Sequence, residues 1–313
     1  MITPIISIIC NTYNQEKYIA QALDSFLMQK VSVPFEVLVH DDASTDGTAD
    51  VIRKYAEKYP DIIKPIIQIE NQYSREGLIT YRFQIPRAQG KYLAFCEGDD
   101  YWIDSNKLQK QYDYMEANSE CSACCHAYDM VDVAGKLIEH RNDWTNDTDI
   151  PLPKFLDNQL EIPQLATFFV RKEILNGFSG IYLGARANDM VLRIFCAANG
   201  NIHYFDKNMS AYRRFVEGSW TMRIGQDIEK MAKGISAYIP FLEQLDEATG
   251  LKYHNEIETA IDKRRYQTAW LLNDYRKARE CKIFSEQSVI KKIMILVGCI
   301  CPGIVNGIRR MKG

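Results

Sequence analysis

The chain has 313 residues, 46% hydrophobic and 25% charged, with a net charge of −3. That length supports a sizeable core and leaves room for one large domain plus an appendage. The near-neutral total hides an asymmetry: residues 252–313 carry thirteen Lys/Arg against six Asp/Glu, and the rest twenty-five against thirty-five. The acidic main body is unsuited to a polyanion, so nucleic acid is not expected as a partner.

Ile5-Ile6-Ser7-Ile8-Ile9-Cys10 reads as a first strand ending at Asn11-Thr12-Tyr13-Asn14. Ahead of it, Met1-Ile2-Thr3-Pro4 has no basic n-region, so no secretory signal is expected. A helix is predicted over about 16–29, a strand over 35–40, a turn and helix cap over 44–48, and a second helix over 49–59. Strands over 62–69 and 92–96 follow. Between them lie a loop at 71–77 and a predicted helix over 79–89, which Pro86 weakens. This β-α alternation implies an open, mostly parallel sheet with right-handed crossovers. Further on, a helix is predicted over 107–118, a strand over 123–133, short strands at 167–170 and 202–205, and a helix over 189–199. Two or three helices are expected over 225–285. A composition shift near 222–225 places a domain boundary there.

Nine cysteines, an odd number, read as reduced thiols. Cys121-x-x-Cys124-Cys125-His126 lacks a second ligand pair at zinc-finger spacing and runs into an apolar stretch, so buried structural cysteines are expected. Residues 293–308 are uncharged and flanked by Lys291-Lys292 and Arg309-Arg310. Spanning a bilayer takes about 20 apolar residues, and this stretch contains Pro302. It reads as an interfacial membrane anchor.

The chemistry concentrates where apolar runs end in carboxylates. Val37-Leu38-Val39-His40 leads to Asp41-Asp42-Ala43-Ser44, and Tyr92-Leu93-Ala94-Phe95-Cys96 leads to Glu97-Gly98-Asp99-Asp100. The carboxyl edge of a parallel sheet is where α/β folds bind ligands. Oxygen ligands in such number suit Mg²⁺ or Mn²⁺ bridging a diphosphate, and Gly98 lets a ligand approach the backbone. A carboxylate at the first cluster can accept the imide N–H of uracil, with a tyrosine stacked on the base.

Ser7-Ile8-Ile9-Cys10-Asn11-Thr12-Tyr13-Asn14, Asp41 to Thr48 and Gly90 to Asp100, with Asn188-Asp189 and Tyr212-Arg213, resemble the family 2 glycosyltransferases in order and spacing over roughly residues 3–220. The resemblance implies an α/β GT-A fold, a mostly parallel sheet flanked by helices. It further implies a nucleotide-sugar donor (commonly a UDP-sugar), Mn²⁺ or Mg²⁺, and inversion at the anomeric carbon. On this template residues 1–222 form the GT-A domain, with a nucleotide-sugar half (1–105) and an acceptor half (106–222). Residues 223–313 form a helical extension. Thr12 and Tyr13 would contact the base, with Asn14 also binding the donor, Asp42 on uracil and Asp41 beside it, and Arg82 at the base or diphosphate. Glu97-Gly98-Asp99 replaces the Asp-x-Asp motif. Asp99 would be the main metal ligand, and Glu97 or Asp100 would hold the donor ribose or sugar. Asp189 falls where the family's catalytic base lies, and residues 212–220 look like its closing loop, with Arg213 on the diphosphate and Trp220 on a sugar. The chain departs from the pattern at Asn11 (usually proline), Ala43 (usually glycine) and Phe215, where some relatives place a metal-binding histidine.

The expected function is transfer of one sugar to a glycan or lipid-linked acceptor in cell-surface polysaccharide synthesis. The expected place is the cytoplasm, peripheral on the inner membrane face through residues 288–313. A nucleotidyltransferase would want a Gly-rich basic loop after strand one, where Asn11 to Glu16 has neither glycine nor arginine. A non-catalytic sugar-binding or assembly protein would need no base at Asp189.

Overall fold

The computed structural model describes residues 3–142, 144–156, 163–180, 189–216 and 227–310. The chain divides into two compact units. The first comprises 1–155, 159–179 and 192–217, and the second 156–158, 180–191 and 218–313.

The first unit is built on one mixed sheet. Its strands are β1 (Ile6–Thr12), β2 (Phe35–Asp41), β3 (Ile63–Ile67), β4 (Tyr92–Phe95), β5 (Tyr101–Trp102), β6 (Cys121–Val131), β7 (Leu137–Arg141), β8 (Thr148–Ile150), β9 (Phe169–Arg171) and β10 (Asn201–Arg213). The order is β3-β2-β1-β4-β9-β6-β10-β5, with β7 beside β6 and β8 beside β10. The first four strands pair parallel. β9 runs antiparallel to both neighbours, and β6 and β10 pair parallel. Side chains of β1 and β2 are buried on both faces, which is why these segments read as continuous apolar runs.

Helices α1 (Ile19–Leu27), α2 (Thr48–Lys58), α3 (Gln72–Arg75) and α4 (Lys107–Ala117) complete the first half. Ile19, Leu23 and Phe26 of α1 join Ile8, Val37, Tyr92 and Trp102 in one core. Each such side chain contributes roughly 1.5–3 kcal/mol by leaving water. Arg171 donates to the carbonyls of Met115, Asn118 and Cys121 and to the Tyr92 hydroxyl, fixing the α4–β6 junction to β4 and β9.

Three expectations are corrected. The segment over 79–89 is a π turn (Thr80–Gln84) and a 3-10 turn (Ile85–Arg87) rather than an α-helix, with Pro86 at the head of the second turn. The short strand over 202–205 is the start of a 13-residue strand, so Tyr212 and Arg213 belong to β10 and not to a loop. Among the described residues, the 225–285 segment holds four α-helices: α7 (Ile228–Ser236), α8 (Ile239–Ala248), α9 (His254–Leu271) and α10 (Tyr275–Glu280); α5 (Leu152–Leu156) and α6 (Asp189–Ala198) precede them. All nine cysteines are free thiols and six are buried. Within β6, Cys124, Cys125 and His126 point to alternate faces.

The second unit ends in α11 (Val289–Ile300) and α12 (Pro302–Arg310). Ser288 caps α11 by accepting the Lys291 N–H, and Pro302 begins the next helix. Among the described residues no helix is long and apolar enough to cross a membrane.

Candidate active site

Backbone hydrogen bonds draw both acidic segments to the end of β1. Thr12 stands opposite Asp41 in the β1–β2 register, and its carbonyl accepts the Asp42 N–H at 3.0 Å. On the other side, the Ile9 carbonyl accepts the Cys96 N–H at 3.1 Å and the Asn11 carbonyl accepts the Gly98 N–H at 3.0 Å. Thr12 therefore lies between the two clusters, both at the carboxyl edge of the parallel strands. Gly98 is closely seated there: a Cβ at this position would fall 2.8 Å from Thr12 Cβ and 2.5 Å from Gln15 Oε1.

The first cluster forms a tight nest. Asp41 accepts from the Ser44 hydroxyl and, at 3.2 Å, from the Ser44 N–H. Asn14 Oδ1 accepts the Thr45 N–H at 2.8 Å, and the Asn14 N–H reaches Ser44 Oγ at 2.8 Å. Two residues here, Asn14 (φ 53°) and Ala43 (φ 63°), hold left-handed backbone without being glycine, a strain found at ligand-gripping turns. Burial pushes the Asp41 carboxyl up, against the hydrogen bonds from Ser44. Asp42 is buried, and its two oxygens accept the N–H groups of Gln72 (2.8 Å) and Tyr73 (3.0 Å), tying α3, a helical turn within the segment expected as a loop over 71–77, to this edge. Tyr13 is 43% exposed. Arg82 pairs with Glu76 at 3.0 Å, lies 4.9 Å from the Phe83 ring, and keeps Nη1 buried without a hydrogen-bond partner.

The second cluster is governed by Arg213. Its Nε donates to the Asp99 carbonyl (3.0 Å), Nη1 to the carbonyls of Asp132 (3.3 Å) and Val133 (3.2 Å), and Nη2 to Gln21 Oε1 (2.8 Å). The rings of Tyr18 and Tyr101 lie 4.6 and 5.4 Å from the guanidinium. The Arg213 backbone N–H meets Asp100 Oδ1 at 2.8 Å. The guanidinium thus serves the protein's own carbonyls. The Nε and the backbone N–H of Arg213 tie the Asp99-Asp100 turn to β10. Burial pushes the Asp100 carboxyl well above the usual carboxylate range, and neighbouring Asp99 adds to the shift. Burial likewise raises Asp99, opposed by Arg213 and by a hydrogen bond from Gln15. Glu97 is exposed.

Asp189 opens α6, with Oδ1 accepting the Met190 N–H at 2.8 Å. It falls in the second compact unit, and the acidic segments fall in the first. Phe215 is exposed at φ 64°, and Trp220 lies outside the described residues. His40 and His126 are core side chains. Burial lowers the His40 pKa to about 4 and takes His126 well below its ordinary value. Sequence reasoning missed the buried polar supports beneath the edge. Gln84 donates to the carbonyls of Cys10 and Leu38, and Arg87 to those of Lys64 and Val39. The only sequence signal for them was two polar residues flanking Ile85-Pro86.

Among the described residues no three acidic, His or Cys side chains converge as a ready-made metal cage. Two adjacent carboxylates whose charge burial disfavours nevertheless suit a hard cation. Mg²⁺ is commonly held by one or two carboxylates, with substrate phosphates and water filling the other positions. The donor set fits that mode.

The model of glycosyl transferase family 2 matches residues 7–178. The chain belongs to that family. Over 220 residues, 68% of this chain, it is 33% identical to an uncharacterized protein of Mycobacterium tuberculosis, covering 60% of that protein's length. It is 33% identical over 112 residues, 36% of this chain and 41% of the relative, to an Escherichia coli UDP-Glc:α-D-GlcNAc-diphosphoundecaprenol β-1,3-glucosyltransferase. Among solved structures, S. aureus TarS in complex with UDP-GlcNAc has the same fold. The TM-score is 0.64 at 19% identity, over 92% of this chain and 77% of that one. A Pyrobaculum calidifontis mannosyltransferase in complex with GDP-Man and Mn²⁺ matches at 0.53 and 16%, over 95% and 80%. The α/β fold expected from the sequence is thus shared with these solved structures.

Proposed function

We propose that this chain is an inverting glycosyltransferase. It moves one sugar from a nucleotide-sugar, a UDP-sugar by preference, to a hydroxyl of a glycan or lipid-linked glycan acceptor in cell-surface polysaccharide synthesis. The observation that carries this reading is the joining of Thr12, Asp42 and Gly98 by backbone hydrogen bonds at one sheet edge. Both acidic turns, one of them carrying the adjacent carboxylates Asp99 and Asp100, thereby share one rim in a member of this family. The relatives' names supply the preference for UDP and for a lipid-linked acceptor.

In this reading Tyr13 stacks on the base and Thr12, Asn14 and Asp41 border it. Asp42 already accepts two backbone N–H groups, and a carboxylate has about four lone-pair sites, so it retains capacity for the base imide. The orphan Nη1 of Arg82 would find its acceptor on the base or diphosphate. Asp99 would hold Mn²⁺ or Mg²⁺, with Glu97 and Asp100 toward ribose and sugar; the bound ion would neutralise charge developing on the leaving diphosphate. Trp220 would stack on a sugar. Arg213 fixes the turn from which Asp99 and Asp100 act. Asp189 takes the proton of the acceptor hydroxyl while that oxygen bonds to the anomeric carbon and the bond to the diphosphate oxygen breaks. Such general-base help is worth on the order of 10²–10⁴-fold.

The test is calorimetric titration of wild type and Asp99→Ala with UDP-, GDP- and dTDP-sugars, with and without Mn²⁺. Metal-dependent binding of one sugar nucleotide, lost in the variant, is the expected result. Folded protein that binds none of them, with or without an added glycan acceptor, would overturn the reading.

A further inference from the structure

α11 and α12 each bury one side and leave apolar residues on the other. Ile295 and Gly298 of α11 and Val305 of α12 are buried in a core with Tyr266, Ala269, Tyr275 and Ala278. Gly298 is pressed against the Tyr275 ring, where a Cβ would fall 2.4 Å from ring carbons. The opposite side of α11 exposes Val289 (71%), Ile293 (55%), Leu296 and Ile300 (82%), the three-to-four-residue spacing of one helix face. Ile304 and Ile308 continue the pattern on α12. A second stripe of isoleucines facing water has no structural use within the unit, and contiguous exposed apolar surface marks an interaction site.

The charge decides what covers it. Residues 287–313 carry Lys291, Lys292, Arg309, Arg310 and Lys312 and no acidic residue. Two such faces brought together in a dimer would oppose like charges, whereas an anionic lipid surface complements them at about 1 kcal/mol per basic residue. At about 1.5 Å per residue α11 is roughly 18 Å long, short of the ~30 Å hydrocarbon core, so it lies in the interface rather than through it.

We propose that α11 and α12 form an interfacial docking surface for an anionic lipid bilayer, with Ile293, Ile300 and Ile304 inserted and Lys292 at headgroup level. The proposal uses no residue of the donor site, and its test reads no sugar transfer, so failure here leaves the proposed function standing. Full-length protein is sedimented with phosphatidylcholine vesicles with and without phosphatidylglycerol, over a salt series. Binding should require the anionic lipid and weaken with salt. Lys292→Gln with Arg309→Gln should weaken it about fivefold per residue. Ile293→Gln, Ile300→Gln and Ile304→Gln together should abolish it without lowering the melting temperature, since all three are exposed. Equal binding to neutral and anionic vesicles, or none to either, would overturn the proposal. So would light scattering that shows the isoleucine substitutions dissolving a dimer.

Discussion

Replacing Gly98 by alanine tests whether the acidic turn is seated on Thr12. The added methyl would lie 2.8 Å from both Thr12 Cβ and Thr12 Oγ1, and 2.5 Å from Gln15 Oε1. Carbon atoms settle at about 3.5–4.0 Å, so the turn must retreat by roughly 0.7–1 Å. Thr12 cannot yield easily, because it ends a buried strand and its hydroxyl bonds Gln15 at 2.7 Å. Overpacking of this kind costs about 1–3 kcal/mol, tolerable for a chain of this size. The displacement falls on Asp99, the next residue, and a 1 Å error in a reacting group costs about 10²-fold. Metal-dependent donor binding and turnover should therefore fall ten- to a hundredfold while the protein still melts cooperatively. Gly234→Ala is the control: it sits in α7 with nothing within 4 Å of an added Cβ. It should stabilise the helix by about 0.5–1 kcal/mol and leave binding unchanged. Donor binding and turnover of Gly98→Ala within twofold of wild type would refute the seating of the turn, and with it the placement of Asp99.

Arg213→Lys keeps the charge but cannot reach the four acceptors that the guanidinium fork spans. It should lower the melting temperature and weaken metal-dependent donor binding at least tenfold; calorimetry giving wild-type affinity would refute its positioning role. Asp189→Asn should cut turnover about 10²–10⁴-fold with donor affinity intact, and equal turnover would remove Asp189 as the base. Asp100→Asn addresses stability. Burial raises the Asp100 pKa from the ordinary 3.8, so the native state holds that proton more tightly than the unfolded chain. Its stabilising effect is complete below pH 3.8 and is lost as pH rises through the raised value. In chelator, Asp100→Asn should melt above wild type at neutral pH, and the gap should close toward pH 4; a pH-independent gap would contradict the burial argument.

The first four strands and both carboxylate clusters were legible because burial on two faces leaves unbroken apolar runs, and a carboxylate after such a run marks a strand end. Arg213 could be placed only by three-dimensional contact. Its partners Gln21, Asp99 and Asp132 lie 192, 114 and 81 residues away, and an arginine after a tyrosine suits a loop as well as a strand. The same limit applied to β10. Asp206, Lys207 and Asn208 interrupt its apolar alternation, and sequence reading stops the strand at Phe205. In the structure a register shift between Phe205 and Ser210 absorbs them, and the pairing with β6 resumes. That bulge has a consequence for the site. It lets one strand run on from the apolar Ile202–Phe205 segment to Arg213, so the guanidinium arrives beside the Asp99 carbonyl on rigid sheet. A loop arginine could contact a diphosphate, but it could not hold the Asp99-Asp100 turn in register with Thr12. Shortening the Asp206–Asn208 insertion by one residue would move Ser210 to Arg213 to the opposite face of the strand. It should therefore abolish donor binding more completely than any single substitution in the acidic turn.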